Sequence, residues 1–493
     1  MLSSKKITIN AFSAVVQVVF TALLYFFLYK YLLTTIGVQQ LGIWSLILSF
    51  SSIANLANLG MTSGLVKFVA EYILDHDKSK LGKLIFTSVL SMSILFIGLS
   101  LIILSGAEFF LKYVIDKQFL SIALEILPYS LASLCINAVG GVFTSVLEGY
   151  QKNYIRNFIY VVSGMIMFGG AIILTPVYHL KGVAIAQLIQ SVFIFLAALV
   201  FTVRISPNNK MRYWKWNKDS FKELFNYGYK FQLVSISQLL YEPATKLLLS
   251  KYGGLALLGH YEMATKAVNQ FRALLTSANQ VVVPVVAEKA KTEGSSFLQS
   301  FYIKMNRILL LFNLPLSTFL ILATPIISLL WLGSFNFDFI FSMFFLVIST
   351  FINIMCGPAY FSSMGEGKLN VLVIVHVSMA VINIILGIVL GLYAGGYGII
   401  LAWTIALSIG SIVVIISYNK SLKINFFDVF RKEEAKLLWV SLLIIIINVL
   451  SYQIISAERN NLKVILGIFS LFLYLPVIFR NENVKQLISS IKK

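Results

Sequence analysis

The sequence predicts an all-α, polytopic membrane protein with about fourteen transmembrane helices. Three observations lead to this fold class. Of the 493 residues, 58% are hydrophobic and only 12% are charged, whereas a soluble protein has about a quarter of its residues charged. The apolar residues form runs of about twenty, long enough to cross a bilayer. The first twelve runs also repeat one pattern twice, which predicts two six-helix lobes followed by two C-terminal helices.

Charged residues and clusters of Gly, Pro and Asn mark the breaks between the apolar runs. The first run is longer than the roughly 7–15 apolar residues of a cleaved signal peptide, so it is predicted to stay in the membrane. The predicted spans are Ile7–Leu33, Leu41–Val66, Leu84–Ala107, Ile126–Leu147, Phe158–Tyr178, Gly182–Val203, Phe231–Ser250, Leu255–Ala287, Ile308–Leu332, Phe339–Met364, Leu369–Ala394, Gly398–Tyr418, Leu437–Ile455 and Leu462–Phe479.

The net charge of +19 is explained by membrane orientation and does not require nucleic-acid binding. With the N-terminus inside, the cytoplasmic loops and termini hold 29 of the 39 Lys and Arg residues, and the outer loops hold far fewer. Cytoplasmic loops of membrane proteins show this bias. Both termini are therefore predicted to be cytoplasmic, with membrane lipids as partners. Cys135 and Cys356 lie inside apolar runs and are predicted to be small core residues.

An internal repeat divides the chain. One shift along the sequence places Gly37 on Gly254 and also Gly42 on Gly259, and nearly the same shift later in the chain places Gly182 on Gly398. Each copy holds an even number of spans, so both copies point the same way through the membrane, as in transporters whose site lies between two lobes. The predicted division is an N-terminal lobe with its basic cytoplasmic loop at residues 1–222, a C-terminal lobe at 223–420, and spans thirteen and fourteen with a cytoplasmic tail at 421–493.

Polar side chains form stripes along spans one, two, seven and eight. Those of span eight recur every three or four residues and therefore share one helix face. Ionisable residues at membrane depth cost roughly 2.5–3.5 kcal/mol each on insertion scales and usually line a cavity. The predicted substrate cavity comprises Lys246, Lys266, Arg272, Glu242, Glu262, Asn269, Asn279, Asn55, Ser49, Ser52, Gln238 and Tyr25.

A packing role is the alternative for two of these pairs. Glu242–Lys246 and Glu262–Lys266 are each four residues apart, so each pair can form within its own helix. Arg272 has no carboxylate four residues away, so pairing of this kind does not explain it. A guanidinium facing a cavity is suited to bidentate contact with phosphate.

The sequence carries no motif for catalysis. It contains no G-x-x-x-x-G-K-[ST] phosphate-binding loop and no cluster with the spacing of metal ligands. Its extramembrane loops stay below about thirty residues, which leaves little room for a catalytic domain. We therefore predict no catalytic residues, no cofactor and no metal site, and a protein that is not an enzyme.

The segment from Leu41 to Glu71, with Leu-Gly-Ile-Trp at its start and Leu-Gly-Met-Thr-Ser-Gly in its middle, resembles the Wzx-type polysaccharide repeat-unit flippases. These belong to the multidrug/oligosaccharidyl-lipid/polysaccharide (MOP) exporter superfamily. The segment Leu258–Lys266 is similar to the corresponding part of that family's second lobe. Gly149–Lys152 and Gly365–Lys368 fit its short inner-loop turns.

This resemblance implies a protein of the bacterial inner membrane that moves an oligosaccharide linked to undecaprenyl pyrophosphate from the cytoplasmic to the outer leaflet. Two lobes would alternate around a cationic cavity, with H+ or Na+ as the coupling ion. The cargo would supply a surface polysaccharide such as O-antigen of lipopolysaccharide, capsule or exopolysaccharide. Implied partners are a polysaccharide polymerase and a chain-length regulator.

Four other functions are weighed against this one. A multidrug exporter of the same superfamily is expected to carry carboxylates without an excess of cations, whereas here three cations accompany two carboxylates. A peptidoglycan-precursor flippase also handles a pyrophosphate, so the charges do not separate it. A polysaccharide polymerase or ligase fits poorly with the repeat and the short loops. A structural scaffold would not explain stripes of buried charge.

Overall fold

The computed structural model describes residues 4–54, 61–74, 78–205, 214–279, 282, 286, 294–368, 370–425, 428, 432–454 and 469–476. These residues are almost entirely helical and contain no strand, which confirms the all-α fold class. The principal helices are α1 (Ser4–Ala54), α2 (Met61–Leu74), α3 (Lys78–Leu111), α4 (Lys117–Gly149), α5 (Asn153–Ile205), α6 (Lys218–Asn279), α7 (Gly294–Leu332), α8 (Phe337–Met355), α9 (Gly357–Gly365), α10 (Asn370–Leu422) and α11 (Lys432–Ile454).

Four of these helices each consist of two helical segments joined by a tight turn. Helices α1, α5, α6 and α10 contain one residue with non-helical backbone angles, at Gly37, His179, Gly254 and Gly395. All four residues lie where the sequence predicts an outer loop between spans. The long helices therefore agree with the predicted order of spans.

Hydropathy and length make the protein a multi-pass membrane protein. Seven stretches of the described residues are long and apolar enough to cross a membrane, and two of them, Asn153–Ile205 and Asn370–Leu422, are 53 residues long. One crossing requires about 20 residues, so each of these two is long enough to cross twice. Helix α6, which carries the charged residues of the candidate site, is not one of the seven.

The predicted repeat is present in the backbone itself. Gly37 has φ 80° and ψ 167°, and its counterpart Gly254 has φ 77° and ψ 170°. His179 has φ 50° and ψ −133°, and its counterpart Gly395 has φ 58° and ψ −144°. Both pairs lie in regions of backbone conformation that residues with a side chain rarely adopt. The two copies therefore turn in the same way at corresponding positions.

The chain forms two compact units. The first comprises Met1–Met263 and Gly391–Ile399, and the second comprises Ala264–Leu390 and Ile400–Lys493. In the first, α5 packs along α4 and α1. In the second, Leu310 and Leu311 of α7 form an apolar core with Leu437 and Ile444 of α11. The division at residues 222 and 420 was inferred from the repeat and stays a prediction.

Candidate functional site

Within the first unit, the turn of α1 crosses the turn of α6 at very close range. A Cβ atom at Gly42 would overlap the carbonyl oxygen of Leu255, and a Cβ atom at Gly259 would overlap the carbonyl oxygen of Val38. Gly42 and Gly259 are counterparts in the repeat, as are Val38 and Leu255. The two contacts are therefore reciprocal, as they are when a two-fold axis relates two segments. Glycine at both positions allows the two backbones to touch.

Directly beside this crossing lies a buried carboxylate, that of Glu262. Its Oε2 atom is 2.8 Å from Nζ of Lys246 and accepts a hydrogen bond of 2.7 Å from Oγ of Ser45. Its Oε1 atom accepts a hydrogen bond of 3.2 Å from the hydroxyl of Tyr29. Glu262 is 0% exposed and Lys246 is 5% exposed. We call Tyr29, Ser45, Lys246 and Glu262 the crossing cluster.

The repeat explains the membership of the crossing cluster. The shift that places Gly37 on Gly254 also places Ser45 on Glu262 and Tyr29 on Lys246. Glu262 thus bonds to its own counterpart, which places the Ser45–Glu262 contact on the local two-fold axis. The cluster contains one neutral pair from the first copy and one charged pair from the second.

The pairing within α6 is observed in part. Nζ of Lys246 is 3.3 Å from Oε1 of Glu242, whose side chain is 42% exposed. Glu262, in contrast, bonds to Ser45 and Tyr29 in α1 and to Lys246 in the other half of α6. Two buried charges compensate the cost of leaving water only when they are paired and also hydrogen-bonded, and here the hydroxyls of Tyr29 and Ser45 provide those bonds.

Aromatic packing connects the crossing cluster to α5. The ring of Tyr29 lies 5.7 Å from that of Trp44 between centroids. Nε1 of Trp44 donates a hydrogen bond of 3.2 Å to Oε1 of Gln187. Tyr25, one helical turn before Tyr29, packs edge-on against it at 6.3 Å. The Tyr29 hydroxyl is thereby directed at Glu262 by neighbours on both sides.

Arg272 belongs to the second unit, as do Lys266 and Asn269. Arg272 and Lys266 are half-buried, and Asn269 is exposed. The Arg272 guanidinium is close enough to the Cys356 thiol and the His376 ring for its charge to act on both. The adjacent Phe271 packs against Leu309 and Ile354, which holds this turn of α6 in an apolar setting.

The structure therefore brings together Glu242, Lys246 and Glu262 of the predicted cavity, whereas Arg272 lies in other surroundings. Ser49 donates to the carbonyl oxygen of Ser45 at 2.9 Å. Asn55 lies outside the described residues, as do the side chains of Ser52, Gln238 and Asn279. That these twelve residues line one substrate cavity stays a prediction.

Sequence reasoning left Tyr29 and Ser45 out of the predicted site, although both bond to Glu262. A signal for them was present in the repeat. Residues near a two-fold axis contact their own counterparts, so a charged residue close to the crossing has its counterpart as a neighbour. Applied to Glu262, the shift between the copies leads directly to Ser45.

Comparison with known proteins places the chain in a family. The model of the family described as polysaccharide biosynthesis protein matches residues 13–338, more than half of the chain. The chain belongs to this family. Among curated proteins, this family member is 24% identical over 202 residues to the multidrug export protein MepA of Staphylococcus haemolyticus. That match spans 40% of this chain and 44% of the length of MepA, so it covers less than half of either protein.

Solved structures share the fold of this polysaccharide biosynthesis family member. The lipid II flippase MurJ in an inward closed conformation matches with a TM-score of 0.74 at 16% identity, over 95% of this chain and 98% of MurJ. An inward-facing multidrug resistance MATE transporter of the MOP superfamily matches with a TM-score of 0.66 at 17% identity, over 83% and 98%. A MOP superfamily transporter from Pyrococcus furiosus, with a binding pocket of reversed polarity, matches with a TM-score of 0.60 at 16% identity, over 85% of this chain and 96% of that transporter. The fold is that of MOP-superfamily transporters and flippases.

Proposed function

We propose that this protein is a flippase that moves an oligosaccharide linked to undecaprenyl pyrophosphate from the cytoplasmic to the outer leaflet of the bacterial inner membrane. The observation that carries the proposal is the match to the polysaccharide biosynthesis family over residues 13–338, in a chain with a MOP-type fold. Membership of this family ties the transporter fold to polysaccharide assembly. The glycan would enter a surface polysaccharide, with a polymerase and a chain-length regulator acting on the flipped unit.

The charges of α6 support an anionic cargo. The set contains three cations, Lys246, Lys266 and Arg272, and two carboxylates, Glu242 and Glu262. It therefore has one net positive charge, whichever of these residues pair with each other. Lys246 is engaged by two carboxylates. Arg272 lies in a different setting, in which its charge acts on Cys356 and His376. A half-buried guanidinium in such surroundings is suited to phosphate oxygens.

The test is complementation of a strain that lacks its own repeat-unit flippase. Arg272→Ala should abolish or sharply reduce surface polysaccharide at an unchanged level of protein in the membrane. A charge-assisted contact is worth ~1.5–3 kcal/mol, so its loss weakens binding roughly tenfold or more. Arg272→Lys should restore function only in part, because an ammonium lacks the bidentate geometry.

Lys251→Gln is the matched control for this test. It removes a positive charge from the same helix at an exposed position outside the predicted cavity and should leave the polysaccharide near normal. A parallel fall of protein level and polysaccharide in Arg272→Ala would indicate a packing role. Normal polysaccharide from an Arg272→Ala, Lys266→Ala double variant would contradict the proposed site.

A cation-coupled multidrug exporter is the second candidate, favoured by the match to MepA and by the MATE structures. A peptidoglycan-precursor flippase is the third, favoured by the fold shared with MurJ. Export of ethidium from cells expressing this protein, abolished by Glu262→Gln, would support the second. Growth of a strain depleted of its own lipid II flippase would support the third.

A further inference from the structure

A small cavity lies inside the first unit, between the first half of α1 and the two halves of α5. Its volume is about 180 Å³, below the roughly 300–1,000 Å³ of pockets that take drug-sized ligands. Six uncharged polar residues contribute to its lining, namely Gln17, Thr21, Tyr25, Tyr160, Ser163 and Gln190. We call this the neutral cavity. None of its described lining residues carries a charge.

The lining of the neutral cavity belongs to three predicted spans, one, five and six, and inside a membrane polar side chains are costly without hydrogen-bond partners. Part of its lining is internally bonded. Nε2 of Gln17 donates to Oγ1 of Thr21 at 3.3 Å, and Nε2 of Gln190 donates to Oγ of Ser163 at 3.5 Å. Both distances are long for hydrogen bonds of this type. The amide carbonyl of a glutamine can accept hydrogen bonds, and a hydroxyl can both donate and accept them.

The fold itself does not require the polar groups of Gln17, Ser163 and Gln190. The repeat places Val234 at the position of Gln17, Met379 at that of Ser163 and Ala406 at that of Gln190. The second copy thus has apolar residues at all three of these positions. Polar side chains that only one copy carries there are therefore more simply explained by a ligand than by helix packing.

We propose that the neutral cavity binds one uncharged sugar ring of the lipid-linked cargo, an inference that rests on the proposed function for the identity of the cargo. Side-chain amides and hydroxyls can both donate to and accept from sugar hydroxyls, and aromatic rings such as those of Tyr25 and Tyr160 can pack against the carbon side of a pyranose. The absence of charge in the described lining disfavours both a pyrophosphate and a cationic drug. The small volume limits the occupant to a single ring.

The experiment uses the full-length protein in lipid nanodiscs and saturation-transfer difference NMR, which detects weak ligands. The probes are methyl glycosides of uncharged hexoses and N-acetylhexosamines. Tetraphenylphosphonium represents a cationic drug, and inorganic pyrophosphate represents the charged group of the cargo. At least one glycoside should receive saturation from the wild-type protein. Gln17→Val with Gln190→Ala introduces the residues of the second copy and should weaken that glycoside about tenfold, the equivalent of two lost hydrogen bonds.

Asn137→Ala is the matched control. It removes another amide from the first unit, one that donates to Oγ of Ser191 at 2.8 Å and does not line the neutral cavity, so glycoside binding should be unchanged. Tyr25→Phe and Tyr160→Phe remove single hydroxyls and should each weaken binding even if the double variant is unstable. Equal thermal unfolding temperatures in nanodiscs will show that the variants are folded.

Two results would overturn the proposal. One is a wild-type protein to which no glycoside of the panel binds, or whose glycoside binding survives all the cavity variants, since the cavity would then hold only water. The other is tetraphenylphosphonium binding that the double variant abolishes. A glycoside that binds in the cavity of a protein that fails complementation in a flippase-null strain would leave the sugar site standing and refute the proposed function.

Discussion

The two copies of the repeat share their backbone and differ in their chemistry. Gly37 and Gly254 turn alike, and Gly42 and Gly259 make reciprocal contacts. On either side of that turn, the first copy has Tyr29 and Ser45 at the positions where the second has Lys246 and Glu262. In the neutral cavity the first copy is the more polar one, because the residues of the second copy that correspond to the two glutamines are apolar. The comparison indicates that the backbone of the repeat is set by glycines and turns, while each copy carries its own polar site.

The largest effect is expected when the charged half of the crossing cluster is broken. Glu262→Ala leaves Lys246 buried beside the half-exposed Glu242 and should lower the free energy of unfolding by about 3 kcal/mol, at the lower end of the range for broken buried pairs. The same change at its counterpart, Ser45→Ala, removes one hydrogen bond and should cost about 1 kcal/mol. Thermal unfolding of the purified protein measures both.

Glu242→Gln is the control for this pair of variants. Because the Glu242 side chain is 42% exposed, its ion pair is screened by solvent and should contribute about 0.5 kcal/mol or less. Equal losses from Glu262→Ala and Ser45→Ala would show that the charge of the second copy adds nothing to the crossing.

A smaller effect, equal in the two copies, is expected at the close approach of α1 and α6. Gly42→Ala and Gly259→Ala each place a methyl group against a carbonyl oxygen of the other turn. Overpacking of this kind typically costs about 1–3 kcal/mol. Gly169→Ala is the control, because its added Cβ meets no neighbouring side chain or other helix within 4 Å, and it should be neutral or slightly stabilising. Stability loss in one of the two glycine variants and not in the other would contradict a reciprocal crossing.

The smallest effects are expected at the turns of His179 and Gly395. Substitutions at these two positions should change the free energy of unfolding in opposite directions. His179 adopts φ 50°, in a region that its counterpart Gly395 occupies without a side chain. Such strain costs of order 1–3 kcal/mol, part of which is offset by the backbone entropy that glycine loses on folding. His179→Gly should therefore stabilise the protein by about 1 kcal/mol, and Gly395→Ala should destabilise it by about as much. Unfolding temperatures that fall in both variants would show that the His179 side chain makes contacts worth more than the strain.

The order of spans and the repeat were predictable because both depend on local properties of the sequence. Apolar length determines which segments enter the bilayer, and the matched spacing of Gly37 and Gly42 with Gly254 and Gly259 identified turns that the backbone angles confirm. Charged residues were identified as unusual for a similar local reason, since each stands out against an apolar run. The residues that contact Glu262 were harder to predict. A periodic stripe of polar residues indicates which side chains share a helix face, but it does not identify the residues of another helix that pack against that face.

By itself the sequence determined the all-α membrane fold, its internal repeat and the presence of buried charge on α6, because hydropathy, period and glycine spacing act along the chain. Only the tertiary structure decided that Lys246 and Glu262 meet Tyr29 and Ser45 at a crossing, while the charge of Arg272 acts on Cys356 and His376. It also decided that Gln17, Tyr160 and Gln190, distant in sequence, line one small cavity. The physical reason is that hydrogen bonds and ion pairs act over a few ångströms in space, between residues that the chain brings together only when its turns are closed.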